Sequence, residues 1–119
     1  MTAGTMTMRS YTEQRAMLAR MERARAETER HLAIIENQIA ARAERMTVTG
    51  RVKSRQYGRS TSTWTRADER AFQENVAALR FERRCEIDAL SRKLARQTGA
   101  IAAFRVRHRI NEPTREVAP

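Results

Sequence analysis

Between Ser10 and Gly50 the chain contains neither Gly nor Pro, and this uninterrupted stretch constrains the fold more than any other feature. Ser10 and Glu13 have the spacing of a capping box, in which the hydroxyl accepts a bond from a free backbone amide and the carboxylate accepts one in return. Apolar residues follow at separations that are multiples of seven: Tyr11, Leu18, Leu32, Ile39 and Met46. Met21 and Ile35 form a companion row three positions after Leu18 and Leu32. The stretch predicts one amphipathic helix from Ser10 to Met46.

A second helix is predicted to begin at Arg66, because Thr65 and Asp68 repeat the capping spacing. Its apolar stripe steps by threes and fours with one extra four-residue step, which resembles a stutter in a heptad pattern. The stripe consists of Phe72, Val76, Leu79, Ile87, Leu90 and Leu94. We expect this helix to reach Arg107, with a possible break at Gly99.

The segment FRVRHRI, residues 104–110, fits two structures. As a strand it would alternate apolar and basic residues, so that its three Arg side chains would share one face. As a helix it would align Ile101, Phe104 and His108 at spacings of three and four. We favour helix to about Arg107, because Ala-rich residues lead into the segment without a cluster of turn residues.

The apolar content is too small for a broad core. Leu, Ile, Val and Phe account for 19 of 119 residues, about 16 %, whereas long helices sharing a seam need only about two or three apolar residues per heptad. The predicted fold is therefore all-α: two long helices in an antiparallel, coiled-coil-like hairpin, completed by dimerisation or by docking on a partner. The predicted segments are a flexible N-terminus (1–9), helix one (10–46), a basic connector (47–65), helix two (66–107) and a disordered C-terminal tail (108–119).

The positive charge is concentrated in one place. The net charge is +10, and residues 47–66 carry half of it, with five basic residues and no acidic one. The helices are close to balanced, which is typical of solvated faces with weak ion pairs. The residues predicted to bind nucleic acid are Arg51, Lys53, Arg55, Tyr57, Arg59 and Arg66, with Arg105, Arg107 and Arg109 as a second group.

Three roles for the connector remain open: contact with nucleic acid, docking on an acidic protein surface, or a plain linker. Nucleic acid is favoured because Gly, hydroxyl and aromatic residues are mixed with Arg, which suits phosphates and stacked bases. The leading hypothesis is a non-enzymatic accessory protein that oligomerises through two apolar seams, Leu32 to Ile39 and Leu79 to Leu94, and contacts phosphates with little sequence specificity. The alternative is a structural component of a virion, secretion apparatus or other complex, or a small inhibitor that docks on a nucleic-acid-binding enzyme.

Several kinds of site are not predicted. His31 and His108 are far apart and Cys85 is the sole cysteine, so the sequence predicts no metal site, no disulfide framework and no Cys–His pair. It contains no Gly-rich phosphate loop. We therefore expect no enzymatic activity and no cofactor. We also expect a cytoplasmic protein without membrane contact, because no apolar run approaches the roughly 18 residues of a membrane span and one cysteine suits a reducing compartment.

Overall fold

The protein is described by a computed structural model that covers residues 10–54 and 63–110. Three helices contain nearly all of them: α1 spans Tyr11–Ser54, α2 spans Arg66–Glu82 and α3 spans Arg84–His108. No strand occurs within these two ranges. The all-α prediction is confirmed.

Two of the predicted segments fall largely or wholly outside the described residues. These are the flexible N-terminus at 1–9 and the C-terminal tail at 108–119, of which only residues 108–110 are described.

Both predicted capping boxes are present. The Glu13 amide donates to Ser10 Oγ at 3.0 Å, and the Ser10 amide donates to Glu13 Oε1 at 3.2 Å. At the start of α2 the Asp68 amide donates to Thr65 Oγ1 at 3.0 Å, while the Thr65 amide donates to Asp68 Oδ2 at 2.9 Å. These reciprocal bonds satisfy amides that have no partner within the helix, and they fix where α1 and α2 begin.

The predicted end of the first helix at Met46 is wrong, because α1 continues to Ser54. The connector predicted at 47–65 is therefore helical over its first eight residues. Gly50 does not stop the helix, since a single Gly weakens a helix interior by only about 1 kcal/mol. Contacts between the last turn of α1 and the first turn of α2, described below, offset that cost.

The predicted second helix is interrupted at Arg83 and not at Gly99, which lies inside α3. Arg83 has φ −104° and ψ 17°, and its amide reaches the carbonyl oxygens of both Leu79 and Arg80, at 3.1 and 3.2 Å. The interruption falls where the apolar stripe takes successive four-residue steps through Leu79, Arg83 and Ile87. Such steps depart from the heptad spacing of the rest of the stripe.

The segment at 104–110 is helical through His108, so the strand alternative is wrong. Arg109 then adopts a left-handed conformation with φ 55°. The Ile110 amide donates to the Arg105 carbonyl at 2.9 Å, and the Arg109 amide donates to the Val106 carbonyl at 3.3 Å. This is a Schellman motif, which lets Ile110 fold back into the core, where it is 3 % exposed.

The described chain forms two compact units. The central unit comprises residues 31–90, and the terminal unit joins residues up to Arg30 with those from Ser91 onward. The central core consists of Ile35, Ile39, Ala43, Leu79 and Ile87, with Leu32, Phe72, Val76 and Leu90 packed against it. The terminal core consists of Leu18, Ile101, Phe104 and Ile110, with Met17 and Met21 packed against it. Leu94, the remaining predicted seam residue, is half-buried.

Within each unit, residues that come later in α1 contact residues that come earlier in α2 or α3. In the central unit Asn75 Nδ2 donates to Thr47 Oγ1 at 3.0 Å, and Arg80 forms an ion pair with Glu36. In the terminal unit Gln97 Nε2 donates to the Ala24 carbonyl at 3.3 Å, and Arg105 forms an ion pair with Glu22. The paired segments therefore run in opposite directions inside each unit.

The buried positions of α1 change their spacing after Ile39. Up to that residue the steps alternate between three and four, and beyond it each step is four. Met46, which the heptad pattern placed on the seam, is 38 % exposed, and Ala43 and Thr47 are buried instead. The inward-facing residues, buried or half-buried, are Leu18, Met21, Arg25, Thr28, Leu32, Ile35, Ile39, Ala43, Thr47 and Arg51.

Ile35 and Ile34 form a matched pair that tests the assignment of the core. Ile35 is 1 % exposed and Ile34 is 49 % exposed. We expect Ile35→Val to lower the free energy of unfolding by about 1 kcal/mol, because it removes a buried methyl group. Ile34→Val should change the free energy of unfolding by less than about 0.5 kcal/mol. Urea unfolding followed by circular dichroism measures both, and equal losses would contradict the assignment.

Gly99 allows a test of the continuity of α3. A Cβ added there would have no neighbouring heavy atom within 4 Å, and the residue is exposed within the helix. We expect Gly99→Ala to stabilise the protein by about 1 kcal/mol, which raises the thermal midpoint by roughly 4 °C. A lower midpoint would show that the chain bends or makes a close approach at this position.

Candidate nucleic-acid interface

The junction where α1 ends and α2 begins places Arg51, a residue of the predicted interface, beside Thr63, Trp64, Thr65 and Asp68. Arg51 Nη1 lies 3.1 Å from Asp68 Oδ2 and donates to the Thr63 carbonyl at 3.4 Å. The side chains of Arg51 and Asp68 are 17 % and 7 % exposed. This shielded ion pair ties the last turn of α1 to the first turn of α2.

Asp68 accepts bonds from two directions. The bond from the Thr65 backbone amide lowers the pKa of Asp68 below its ordinary value of 3.8. Partial burial opposes this shift, whereas the hydrogen bond and positive charge of Arg51 reinforce it. The carboxylate therefore serves both the cap of α2 and the tie to α1, and it does so in its ionised form.

Trp64 precedes the cap and packs against α2. Its indole Nε1 donates to Glu69 Oε1 at 2.9 Å, and its ring meets the Phe72 ring edge to face, with centroids 6.1 Å apart. Gln73 Nε2 also donates to Glu69. The bond from Gln73 has the larger effect and that from Trp64 the smaller, and both lower the pKa of Glu69. Trp64 remains 40 % exposed, so one part of the indole closes the helix end and another part faces solvent.

The predicted basic residues of the connector have different surroundings. Arg51 is engaged by Asp68, whereas Arg66 is exposed and forms no ion pair with any residue that the structure describes. Lys53 belongs to the last turn of α1. Arg55, Tyr57 and Arg59 lie outside the described residues.

The second predicted group does not share one face. A helix turns about 100° per residue, so Arg105 and Arg107 project in nearly opposite directions. Arg105 is partly buried in an ion pair with Glu22, while Arg107 and Arg109 are exposed. The grouping depended on the strand alternative, and the helix separates its members.

Sequence reasoning missed Arg42 and Arg45, which project from α1 in the central unit. Both are exposed, and among residues 10–54 and 63–110 neither forms an ion pair. A signal was present in the sequence, because no acidic residue lies three or four positions from either Arg. These positions are where helical ion pairs form.

The described residues hold no group of three or more His, Cys, Asp or Glu side chains that could bind a metal ion. Their helices include none that is long and apolar enough to cross a membrane. Cys85 is exposed, and the His108 ring lies 4.3 Å from that of Phe104.

Comparisons of the chain with protein-family models, with curated proteins and with solved structures find no match. The interpretation of function therefore depends on the chain's own residues.

Asp68→Asn tests the tie at the junction. The ionised carboxylate contributes stability above the unfolded pKa of about 3.8, and this contribution is lost as the pH falls through the lower pKa of the folded state. We expect Asp68→Asn to lower the thermal midpoint at pH 7 and to reduce the loss of stability that occurs as the pH falls below about 4. Thermal unfolding at a series of pH values measures this.

Asp88→Asn is the matched control, since Asp88 is exposed on α3 and also carries one negative charge. It should leave the midpoint at pH 7 close to that of the wild type. Equal effects of the two substitutions would contradict a specific role for Asp68.

Proposed function

We propose that the protein is a non-enzymatic accessory protein, built as an antiparallel helical hairpin, that contacts nucleic acid through backbone phosphates with little sequence specificity. The observation that carries the proposal is the charge of residues 47–66, which hold five basic residues and no acidic one. Arg is well suited to phosphate, because its planar fork donates two parallel hydrogen bonds. Such contacts position a protein on a nucleic acid without reading its sequence.

The junction supports this proposal by fixing both ends of the charged stretch. Arg51 and Asp68 join the helices at their meeting point, and the capping box holds Thr65 at the start of α2. Arg66 follows immediately and is exposed. A charge attached to a fixed base loses less conformational freedom on binding than one on a free chain.

Arg51 belongs to the fold in this proposal and not to the binding surface. Its guanidinium already has a carboxylate partner, and breaking that pair would leave Asp68 largely buried without its cation. The residues left to contact phosphate are Lys53, Arg55, Arg59 and Arg66, with Tyr57 as a platform on which a base could stack. A cytoplasmic location agrees with such a role.

Oligomerisation is part of the proposal, but through a surface other than the predicted seams. Those seam residues, apart from Leu94, form or pack against the intrachain cores of the two units. Ile34 and Val52 lie on α1 away from the central core and are 49 % and 63 % exposed. Both side chains are therefore available for contact with a second copy of the chain.

A second candidate function is assembly with another protein, either as a structural component of a complex or as an inhibitor of a nucleic-acid-binding enzyme. Phe81 and Val106 are 64 % and 79 % exposed, so both side chains are available for contact with a protein partner. In that case the basic connector would contact an acidic protein surface. The two functions differ in salt dependence and in what the connector's charges recognise.

Salt-dependent binding of labelled single-stranded DNA tests the leading proposal. We expect the logarithm of affinity to fall linearly with the logarithm of salt concentration. Substitution of Arg55, Arg59 and Arg66 by Gln should make the slope less steep by about 2, because each lost phosphate contact removes about 0.7. Fluorescence anisotropy over a range of salt concentrations measures the slope.

The matched control changes Arg92, Lys93 and Arg96 to Gln, since these residues are exposed on α3 and carry the same total charge. It should leave the slope nearly unchanged. Equal effects of the two variants would show that only net charge matters, and binding that does not depend on salt would refute phosphate contact.

A further inference from the structure

A groove between α1 and the end of α2 lies within the central unit. It encloses about 350 Å³, and its lining includes the apolar residues Ile39 and Leu79 and the side chains of Arg42, Arg45 and Arg83. A second, more open hollow lies toward the C-terminal end of α1 and is also lined by Arg42 and Arg45. These two Arg side chains therefore border both depressions.

The three Arg side chains differ in how they are held. Arg83 Nη1 donates to Gln38 Oε1 at 2.9 Å, and its Nε and Nη2 reach Glu86 Oε1 at 3.0 and 2.9 Å. Arg83 is thus positioned by neighbours that also neutralise part of its charge. Arg42 and Arg45 contact no carboxylate among the described residues, so their donors are free to bind an anion from solution.

The spacing of Arg42 and Arg45 suits contact with two phosphates of one nucleic-acid strand. Residues three apart on a helix lie on the same side, with Cβ atoms about 5 to 6 Å apart. Each guanidinium can form a two-pronged bond to a phosphate. Two adjacent phosphates engage both Arg side chains at once, whereas an isolated carboxylate engages only one of them.

The groove also lies on the helix that leads to the charged connector. From Arg45, α1 continues through Thr49 and Gly50, which line the second hollow, to Ser54. A strand bound at the connector could follow α1 toward Arg42 over residues 46–50, which include no acidic residue. Glu82 lines the groove as well and opposes anion binding there.

We propose that Arg42 and Arg45, backed by Arg83, form a phosphate-binding site that extends nucleic-acid contact from the connector onto α1; this rests on the function proposed above. The site takes adjacent phosphodiester groups of a single strand. Its positive charge makes it a second point of attachment, so that the strand crosses the folded helix α1 as well as the connector.

The test uses the full chain and a labelled oligothymidylate of 20 nucleotides, a length on the order of one or two single-strand binding sites. We expect Arg42→Gln with Arg45→Gln to weaken binding about 20-fold at 0.1 M salt and to make the salt slope less steep by about 1.4, as two lost phosphate contacts require. Arg92→Gln with Arg96→Gln is the control of equal charge and should have little effect. Glu82→Gln should strengthen binding, because it removes the carboxylate in the groove.

A second measurement locates the site directly. Phenylglyoxal modifies accessible Arg side chains, and peptide mass spectrometry identifies which ones have reacted. Bound oligothymidylate should protect Arg42 and Arg45 and leave Arg92 reactive. Unchanged circular dichroism and thermal midpoint show that the exposed substitutions leave the fold intact.

The possible failures are distinguishable. If the wild type binds and the connector variant weakens binding while the Arg42 and Arg45 variant equals its control, the groove site is wrong and the proposed function stands. If the wild type shows no salt-dependent binding, both are wrong. If polyglutamate binds through Arg42 and Arg45 while oligothymidylate does not, the groove is a protein-docking site and the phosphate assignment is overturned.

Discussion

The narrow inward-facing stripe of α1 is the constraint on which the rest of the described structure depends. It supplies Leu18 to the core of the terminal unit and Ile35, Ile39 and Ala43 to the core of the central unit. Each core has few apolar residues, so neither unit would hold its helices together without this face. The polar residue Thr47 fits the stripe because its hydroxyl donates to the Ala43 carbonyl at 2.8 Å and accepts from Asn75.

This stripe determines where the charges lie. As the steps become four residues long beyond Ile39, the inward face rotates around α1 until Arg51 points toward α2, where Asp68 receives it. Arg42 and Arg45 then lie beside the seam, border the groove and stay exposed. The Arg residues of α1 thus have two roles. Arg51 joins the helices, whereas Arg42 and Arg45 are available to an anion.

Features that depend on near neighbours could be predicted from the sequence. The caps at Ser10 and Thr65 are local hydrogen-bond patterns, and the heptad steps through Leu32, Ile35 and Ile39 indicate a buried face. The extension of α1 to Ser54 could not be predicted, because it depends on contacts such as Thr47 with Asn75, which are 28 positions apart. The burial of Arg51 likewise depends on a partner 17 positions away. For Arg42 and Arg45 the lack of acidic neighbours was visible, but the groove beside them exists only after α1 and α2 pack.

The central claim is that the chain's uncompensated charge contacts nucleic acid and not another protein. Purification of a tagged chain at low salt, with and without nuclease, tests it most directly. Nucleic acid should copurify with the untreated chain and disappear after nuclease digestion. No second protein should then remain bound to the chain in stoichiometric amount. A protein partner that remains in stoichiometric amount after digestion would contradict the claim and favour the assembly function.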